Sequence, residues 1–289
     1  MHQCFTLTLC ICTRNRPHDL RRCLESISQS ATRPAQLIIS DDGDEGQSVE
    51  NIVQEFGFAI YQRGPRKGLG ANRNSCLASA TSSHVLFIDD DVLLPADFVE
   101  RAAAIYHKHS EKVPLPIISG IEFKHEGEQV IRVEPHNPDF WGFQRVPPNH
   151  LLGALVINAT IFPSQLFQEA LFDSRLRYGS EEVDMARHAI SLGYQILLEP
   201  SLFVHHYPSE VNRDEYKTLV DASRLYATAK AYWFYQRKPL KTLLYILLAP
   251  PKELFAKARR SGVRGIVSAL RSMMTAYGYA ISAIHERRS

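Results

Sequence analysis

Asp89, Asp90 and Asp91 stand side by side at the end of the apolar run His84-Val85-Leu86-Phe87-Ile88. Three adjacent carboxylates repel one another, and a cation is the simplest partner to offset that repulsion. Hard carboxylate oxygens suit Mg2+ or Mn2+. Side chains alternate along an extended segment, so Asp89 and Asp91 point one way and Asp90 the other, which makes Asp89-x-Asp91 the useful pair. A second acidic group, Asp41-Asp42-Gly43-Asp44, follows the short apolar stretch 36–40. Two basic groups accompany them: Thr13-Arg14-Asn15-Arg16 after the apolar run 5–12, and a glycine-rich loop carrying Lys67 and Gly68, with Arg73 just beyond. A nucleotide would use all of these at once. A carboxylate pairs with a base N–H, the cations face a diphosphate, and a metal bridges the diphosphate to the Asp89 and Asp91 carboxylates. Taken singly, the acids also fit a solvated turn, and each cation is more often a surface charge.

For these groups to meet, strands must carry them. Residues 5–12, 36–40, 58–61 and 84–88 have the length and composition of buried strands. Between them, Leu20, Cys23, Leu24 and Ile27 fall at helical spacing, and a helix is expected over 71–80. Strands alternating with helices indicate an α/β protein with a largely parallel sheet, whose ligands bind at the carboxyl ends of the strands. Thr13, Asp41, Asp42 and the three acids at 89–91 all lie at such ends, and Lys67 and Arg73 stand near a helix start that favours an anion.

Further on, short strands are expected at 117–123 and 129–133, and a helix over 163–171 with Pro163 in its first turn. Tyr178-Gly179-Ser180-Glu181-Glu182-Val183-Asp184 opens another helix, with Ser180 as N-cap and Gly193 as terminator. Strands at 195–198 and 202–206 follow, the second ending in His205-His206; that pair reads as a metal site or as surface polarity. One helix is expected over 212–237. Residues 243–249 are apolar, and Ile266, Val267, Leu270, Met273, Met274 and Tyr277 keep helical spacing.

The charge is unevenly spread. Residues 237–289 hold 11 Lys and Arg against 2 Glu, a balance of +9 in a chain of formal net charge +2, so the remainder carries −7. A basic amphipathic tail fits either a helix packed on the body or an interfacial anchor on an anionic surface. No apolar run reaches the length of a membrane span, and the first residues do not read as a signal peptide. Cys4, Cys10, Cys12, Cys23 and Cys76 form no C-x-x-C pair and read as reduced core thiols of a cytoplasmic protein.

Together these motifs resemble the inverting glycosyltransferases of the large family 2, which have the GT-A fold, over roughly residues 5–210. The resemblance is carried by Thr13-Arg14-Asn15-Arg16, Asp41-Asp42-Gly43, Gly68 with Arg73-Asn74, Phe87-Ile88-Asp89-Asp90-Asp91 with Pro95, Phe172-Asp173, and the late Glu181-Glu182 group with Pro200 and His206. It implies a nucleotide-diphospho-sugar transferase fold at 1–210 with a C-terminal helical, basic extension at 211–289. It also implies a nucleotide-sugar donor linked to UDP, dTDP or GDP, held by Thr13, Arg14, Asn15, Arg16, Asp41, Asp42, Lys67, Gly68, Arg73, Asp89 and Asp90. Mg2+ or Mn2+ would sit on Asp89, Asp91 and His206, with His205 the fallback. The family's late motif reads Gly-Glu-Asp-x-Asp; here Ser180 separates Gly179 from Glu181, and Glu182 aligns with the general base, Glu181 being the other candidate. The acceptor is expected to be a saccharide or lipid-linked saccharide, not nucleic acid, handled at the inner face of the cell membrane. A nucleotidyltransferase shares the frame and the metal acids but leaves Glu181, Glu182 and His206 without a role. A catalytically silent glycan-binding or scaffold protein would tolerate loss of Asp91 and Glu182.

Overall fold

The computed structural model describes residues 5–209 and 213–286, so Cys4, Asn212, Arg287 and Arg288 lie outside the described residues. The first half alternates strand and helix: β1 (Leu7–Thr13), α1 (Pro17–Ser28), β2 (Gln36–Asp41), α2 (Glu50–Glu55), β3 (Ala59–Arg63), α3 (Leu69–Ser79) and β4 (His84–Asp89). Next come β5 (Val92–Leu93), α4 (Phe98–Ser110), β6 (Ile117–Glu126), β7 (Gln129–Val133), β8 (Asn137–Pro138), β9 (Gln144–Val146), β10 (Thr160–Pro163), α5 (Leu166–Glu169), α6 (Glu181–Ser191) and β11 (Ile196–His206). The nine-stranded main sheet runs β3-β2-β1-β4-β10-β6-β11-β5, with β7 added to β6. β3, β2, β1 and β4 are parallel; β10 is antiparallel to both β4 and β6, so β6 and β11 run in the same sense as β4.

Alternation along β1 shows why the sheet is covered on both faces. Leu7, Leu9 and Ile11 join one apolar cluster with Leu20, Leu24 and Phe98 from α1 and α4. Cys10 and Cys12 join the other with Phe87, Phe162 and Met185, the last from α6. All of Cys10, Cys12, Cys23 and Cys76 are buried free thiols. Sandwiched in this way, the strands can expose only their ends, and the polar residues that follow them collect there.

Several expectations are corrected. Pro163 ends β10, paired with His84, and the helix after it is only the single turn Leu166–Glu169, because Ala170 returns to extended backbone. Ser180 precedes α6 but makes no cap hydrogen bond; at φ 66° it continues a left-handed turn begun by Gly179 at φ 82°. The two late strands are one, β11, with an irregularity between Leu198 and Phe203. The expected helix over 212–237 stops earlier: α7 (Arg213–Lys230) passes into a π-helical turn (Ala231–Tyr235).

Last comes α8 (Pro239–Glu286), bent into two limbs at Ser261 and Gly262. Its inner face is fastened to the body by Arg224–Glu253 at 2.6 Å, Lys257–Asp221 at 2.6 Å and an Arg175–Glu286 pair, and by small residues such as Ala249 and Ala283 packed on Tyr232 and Tyr226. Its outer face is uncovered: Leu240 is 82% exposed, Phe255 71%, Val263 77% and Met274 74%. No described helix is long and apolar enough to cross a membrane.

Candidate active site

The carboxyl ends of β1, β2 and β4 are adjacent, with Thr13 opposite Asp41 and Cys12 opposite Asp89, and β11 brings His206 beside Val92. Asp89, Asp91 and His206 thereby offer ligand atoms within 4.8 Å of one another. His206 Nε2 lies 3.1 Å from Asp91 Oδ1, and its Nδ1 lies 2.6 Å from Glu122 Oε1 on β6. Asn158 closes the ring, donating to Glu122 at 3.0 Å and receiving the Asp89 amide N–H at 2.9 Å. Burial disfavours a charged His206 ring, yet the Asp91 and Glu122 carboxylates on either side outweigh burial and push its pKa up to about 10. Burial likewise acts to raise Asp91, but His206 and the Ser209 amide hold it below the usual carboxylate range. Asp91 Oδ1 is buried and accepts no aligned hydrogen bond. A hard cation would satisfy that oxygen together with Asp89 and His206, so the residues fit Mg2+ or Mn2+.

Asp90 points to the other side, as alternation requires. It is 2% exposed, accepts from Thr13 Oγ1 at 2.7 Å and pairs with Arg16 at 3.1 Å, and burial pushes its pKa up to about 7. Thr13 and Arg16 thus brace the acids, and Arg16 also reaches Asp91 at 3.5 Å. Of the two candidate base contacts, Asp41 is fully buried and committed to the Gly43 amide, Tyr61 and Arg63. Asp42 lines the cleft, one oxygen taking the Arg66 amide at 2.8 Å, and its pKa is raised by burial. Asn15, in the left-handed region at φ 57°, clips the loops together by bonding Asp44 at 2.7 Å.

Arg73 is buried between Glu181 at 3.3 Å and Asp89 at 3.7 Å. Glu181 is 3% exposed and its pKa rises to about 7 through burial, then the adjacent Glu182 charge. Glu182 is half-buried; burial raises its pKa too, and the Gln144 side chain is among the groups opposing that rise. Two carboxylates at the start of α6 therefore have different settings, one locked on Arg73 and one open beside β9. His205 faces away from His206 and bonds His125 at 3.1 Å.

A cleft of about 1040 Å³ runs past these strand ends, lined by Arg14, Asp42, Lys67, Asp91, Arg177 and Tyr279 among others. Gly68 is required where α3 begins: at φ 102° a Cβ there would sit 2.6 Å from Arg177 Cα, and the Leu69 amide bonds the Arg177 carbonyl. Asn15, Asp41, Arg73, Glu181 and Glu182 are not on the cleft lining. Sequence reasoning missed Glu122, Asn158, Arg177 and Tyr279. Glu122 could have been noticed as a carboxylate inside an apolar strand, and Asn158 as an amide inside the apolar run 151–162.

A mostly parallel sheet with paired acids at one strand end and a carboxylate-led helix beyond it defines a protein of the GT-A, nucleotide-diphospho-sugar transferase fold. Residues 8–144 match the model of Glycosyl transferase family 2. It is 26% identical over 180 residues to the amylovoran biosynthesis glycosyltransferase AmsE of Erwinia amylovora, covering 57% of this chain and 66% of that one. It is 27% identical over 207 residues to the pre-mycofactocin glycosyltransferase of Mycobacterium tuberculosis, covering 69% of this chain and 42% of that one. The chain thus spans two thirds or less of these relatives' lengths. In fold it is similar to S. aureus TarS 1-349 in complex with UDP-GlcNAc, with a TM-score of 0.58 and 14% identity over 96% of this chain and 92% of that one.

Proposed function

We propose that the protein is a metal-dependent inverting glycosyltransferase that moves a sugar from a nucleotide donor to a hydroxyl of a saccharide or lipid-linked saccharide. The observation that carries this reading is the convergence of Asp89, Asp91 and His206 on a cleft that also presents Asp42, Lys67 and Arg177. Asp42 accepts a ring N–H of uracil, thymine or guanine, and Lys67 and Arg177 face the diphosphate. Bound to Asp89, Asp91 and His206, Mg2+ or Mn2+ supplies positive charge to the departing nucleoside diphosphate. Glu182 accepts the proton of the acceptor hydroxyl while that oxygen bonds the anomeric carbon and the carbon–phosphate oxygen bond breaks. Burial raises its pKa, which makes it the stronger base, and Arg73 fixes Glu181 and Asp89 so that the two halves of the site keep their spacing. That S. aureus TarS 1-349 forms a complex with UDP-GlcNAc supports a nucleotide-sugar donor.

The C-terminal extension at 211–289 belongs to the same proposal as a peripheral contact with the inner face of an anionic membrane. Arg237, Lys238, Arg259, Arg260, Arg264 and Arg271 are exposed alongside the uncovered apolar face of α8, while the acid within that span, Glu253, is buried on Arg224. A second copy of the helix would oppose like charges, whereas anionic lipid complements them. Titrating the chain with UDP-, dTDP- and GDP-sugars in Mn2+ or Mg2+, and following nucleoside diphosphate release, tests the reading. Metal-dependent binding and release with at least one donor supports it; a folded chain inert to all three contradicts it.

A further inference from the structure

Resting on that transferase reading, we propose that Tyr279, carried by the second limb of α8, binds the nucleotide-sugar donor, so that the C-terminal helix closes the donor site. Tyr279 and Ser282 line the same cleft as Lys67, Arg177 and Asp91, although more than a hundred residues of chain separate them from the last of these. The Tyr279 hydroxyl is buried and has no hydrogen-bond partner. Its ring stands edge-on to Tyr226 at 5.7 Å, and the Tyr226 hydroxyl is itself committed to Asp173 at 2.9 Å, so the neighbouring phenol does not satisfy it.

A buried hydroxyl without a partner calls for one from outside the chain. The setting decides its chemistry. Burial raises the Tyr279 pKa, which keeps the phenol protonated and able to donate, and the Arg177 charge beside it favours a negative oxygen in the shared space. An oxygen-rich anion, the phosphates or sugar hydroxyls of a nucleoside diphosphate sugar, meets both requirements. The limb that carries Tyr279 is held from both sides, by the Arg175–Glu286 pair and by Ala283 packed with Leu176, Tyr226 and Ala227. The tyrosine is therefore carried on a fixed element, and its outward neighbours Tyr277, Ile281 and Ile284 remain exposed.

The test is Tyr279→Phe in the full chain, with Ser282→Ala beside it, titrated with UDP, dTDP and GDP in Mn2+ and assayed for donor turnover. Tyr279→Phe is expected to weaken nucleotide-sugar binding and raise donor KM by about ten-fold, with kcat and the unfolding temperature unchanged. A purely structural tyrosine would instead lower the unfolding temperature and leave KM in place. If the wild-type chain binds a donor and Tyr279→Phe binds it equally well, the transferase reading stands and the role of Tyr279 falls. A wild-type chain that binds no nucleoside diphosphate with metal overturns both.

Discussion

Arg73 and Glu181, 108 residues apart in sequence, pair at 3.3 Å in the interior, and the same guanidinium lies 3.7 Å from Asp89. One side chain on α3 thus spaces the acidic end of β4 from the helix that carries Glu182. Because Glu181 is locked in this pair, its loss should act on the frame before the chemistry. Glu181→Gln keeps a hydrogen-bonding group on Arg73 and is expected to cost about 1–3 kcal/mol of stability, read by chemical denaturation, with a milder loss of turnover than Glu182→Gln. Turnover falling further in Glu181→Gln than in Glu182→Gln would reverse the two assignments.

Glu122 orients His206 from behind at 2.6 Å and is itself held by Asn158. Partners of this kind typically set metal affinity by 10–100-fold. Glu122→Gln should weaken Mn2+ binding by about that factor in a calorimetric titration, and Asp91→Asn should abolish the metal-dependent part of nucleoside diphosphate affinity. Unchanged Mn2+ affinity in a folded Asp91→Asn chain would remove Asp91 from the metal site.

His84 reports on the fold rather than on catalysis. It is 2% exposed, stacked on Phe5 and edge-on to Tyr106, and burial lowers its pKa to about 4. The unfolded chain takes up this proton near pH 6.5 and the folded chain only near 4. The neutral ring therefore contributes fully above pH 6.5, and about 3 kcal/mol is lost as pH falls toward 4. His84→Asn should flatten the stability-against-pH curve in that window by roughly this amount, measured by urea unfolding at pH 7 and pH 4.5. Parallel curves for the two chains would mean that His84 does not titrate there.

The outer face of α8 makes a prediction independent of catalysis. Sedimentation with vesicles rich in phosphatidylglycerol should carry down the full chain and lose it in high salt, since each basic residue at such a surface is worth about 1 kcal/mol. Leu243→Glu with Leu247→Glu, both positions being exposed, should abolish pelleting without unfolding the protein. Equal pelleting of this variant, or equal pelleting with neutral vesicles, would count against an anionic membrane as the partner.

Local order was legible where composition alone decides it. The buried strand 84–88 and the acids after it are found as expected, because an apolar β-branched run ending in carboxylates has few other readings. α2 and α4 were not anticipated, although Phe98, Ala102, Ile105 and Tyr106 do keep helical spacing. Ser180 failed as a cap because the turn before α6 is left-handed, a backbone property that a side-chain preference does not reveal. The encounters of Asn158 with Asp89, Glu122 with His206 and Arg73 with Glu181 depend on strand order, which no local pattern carries. The same holds for the C-terminal helix, whose inner and outer faces differ only once its partners are in place.

The most direct measurement is donor hydrolysis and transfer by Glu182→Gln alongside nucleotide affinity. Glu182 is the half-buried carboxylate at the start of α6, off the donor cleft, whereas Asp89 and Asp91 lie on it. A base acts on the attacking hydroxyl, so its loss should spare donor binding while lowering turnover by roughly two to four orders of magnitude. Donor affinity within about two-fold of the wild-type chain, together with that drop, is the expected result. Near-full transfer by Glu182→Gln would contradict the assignment of Glu182 as the base and, with it, the mechanism proposed for this site.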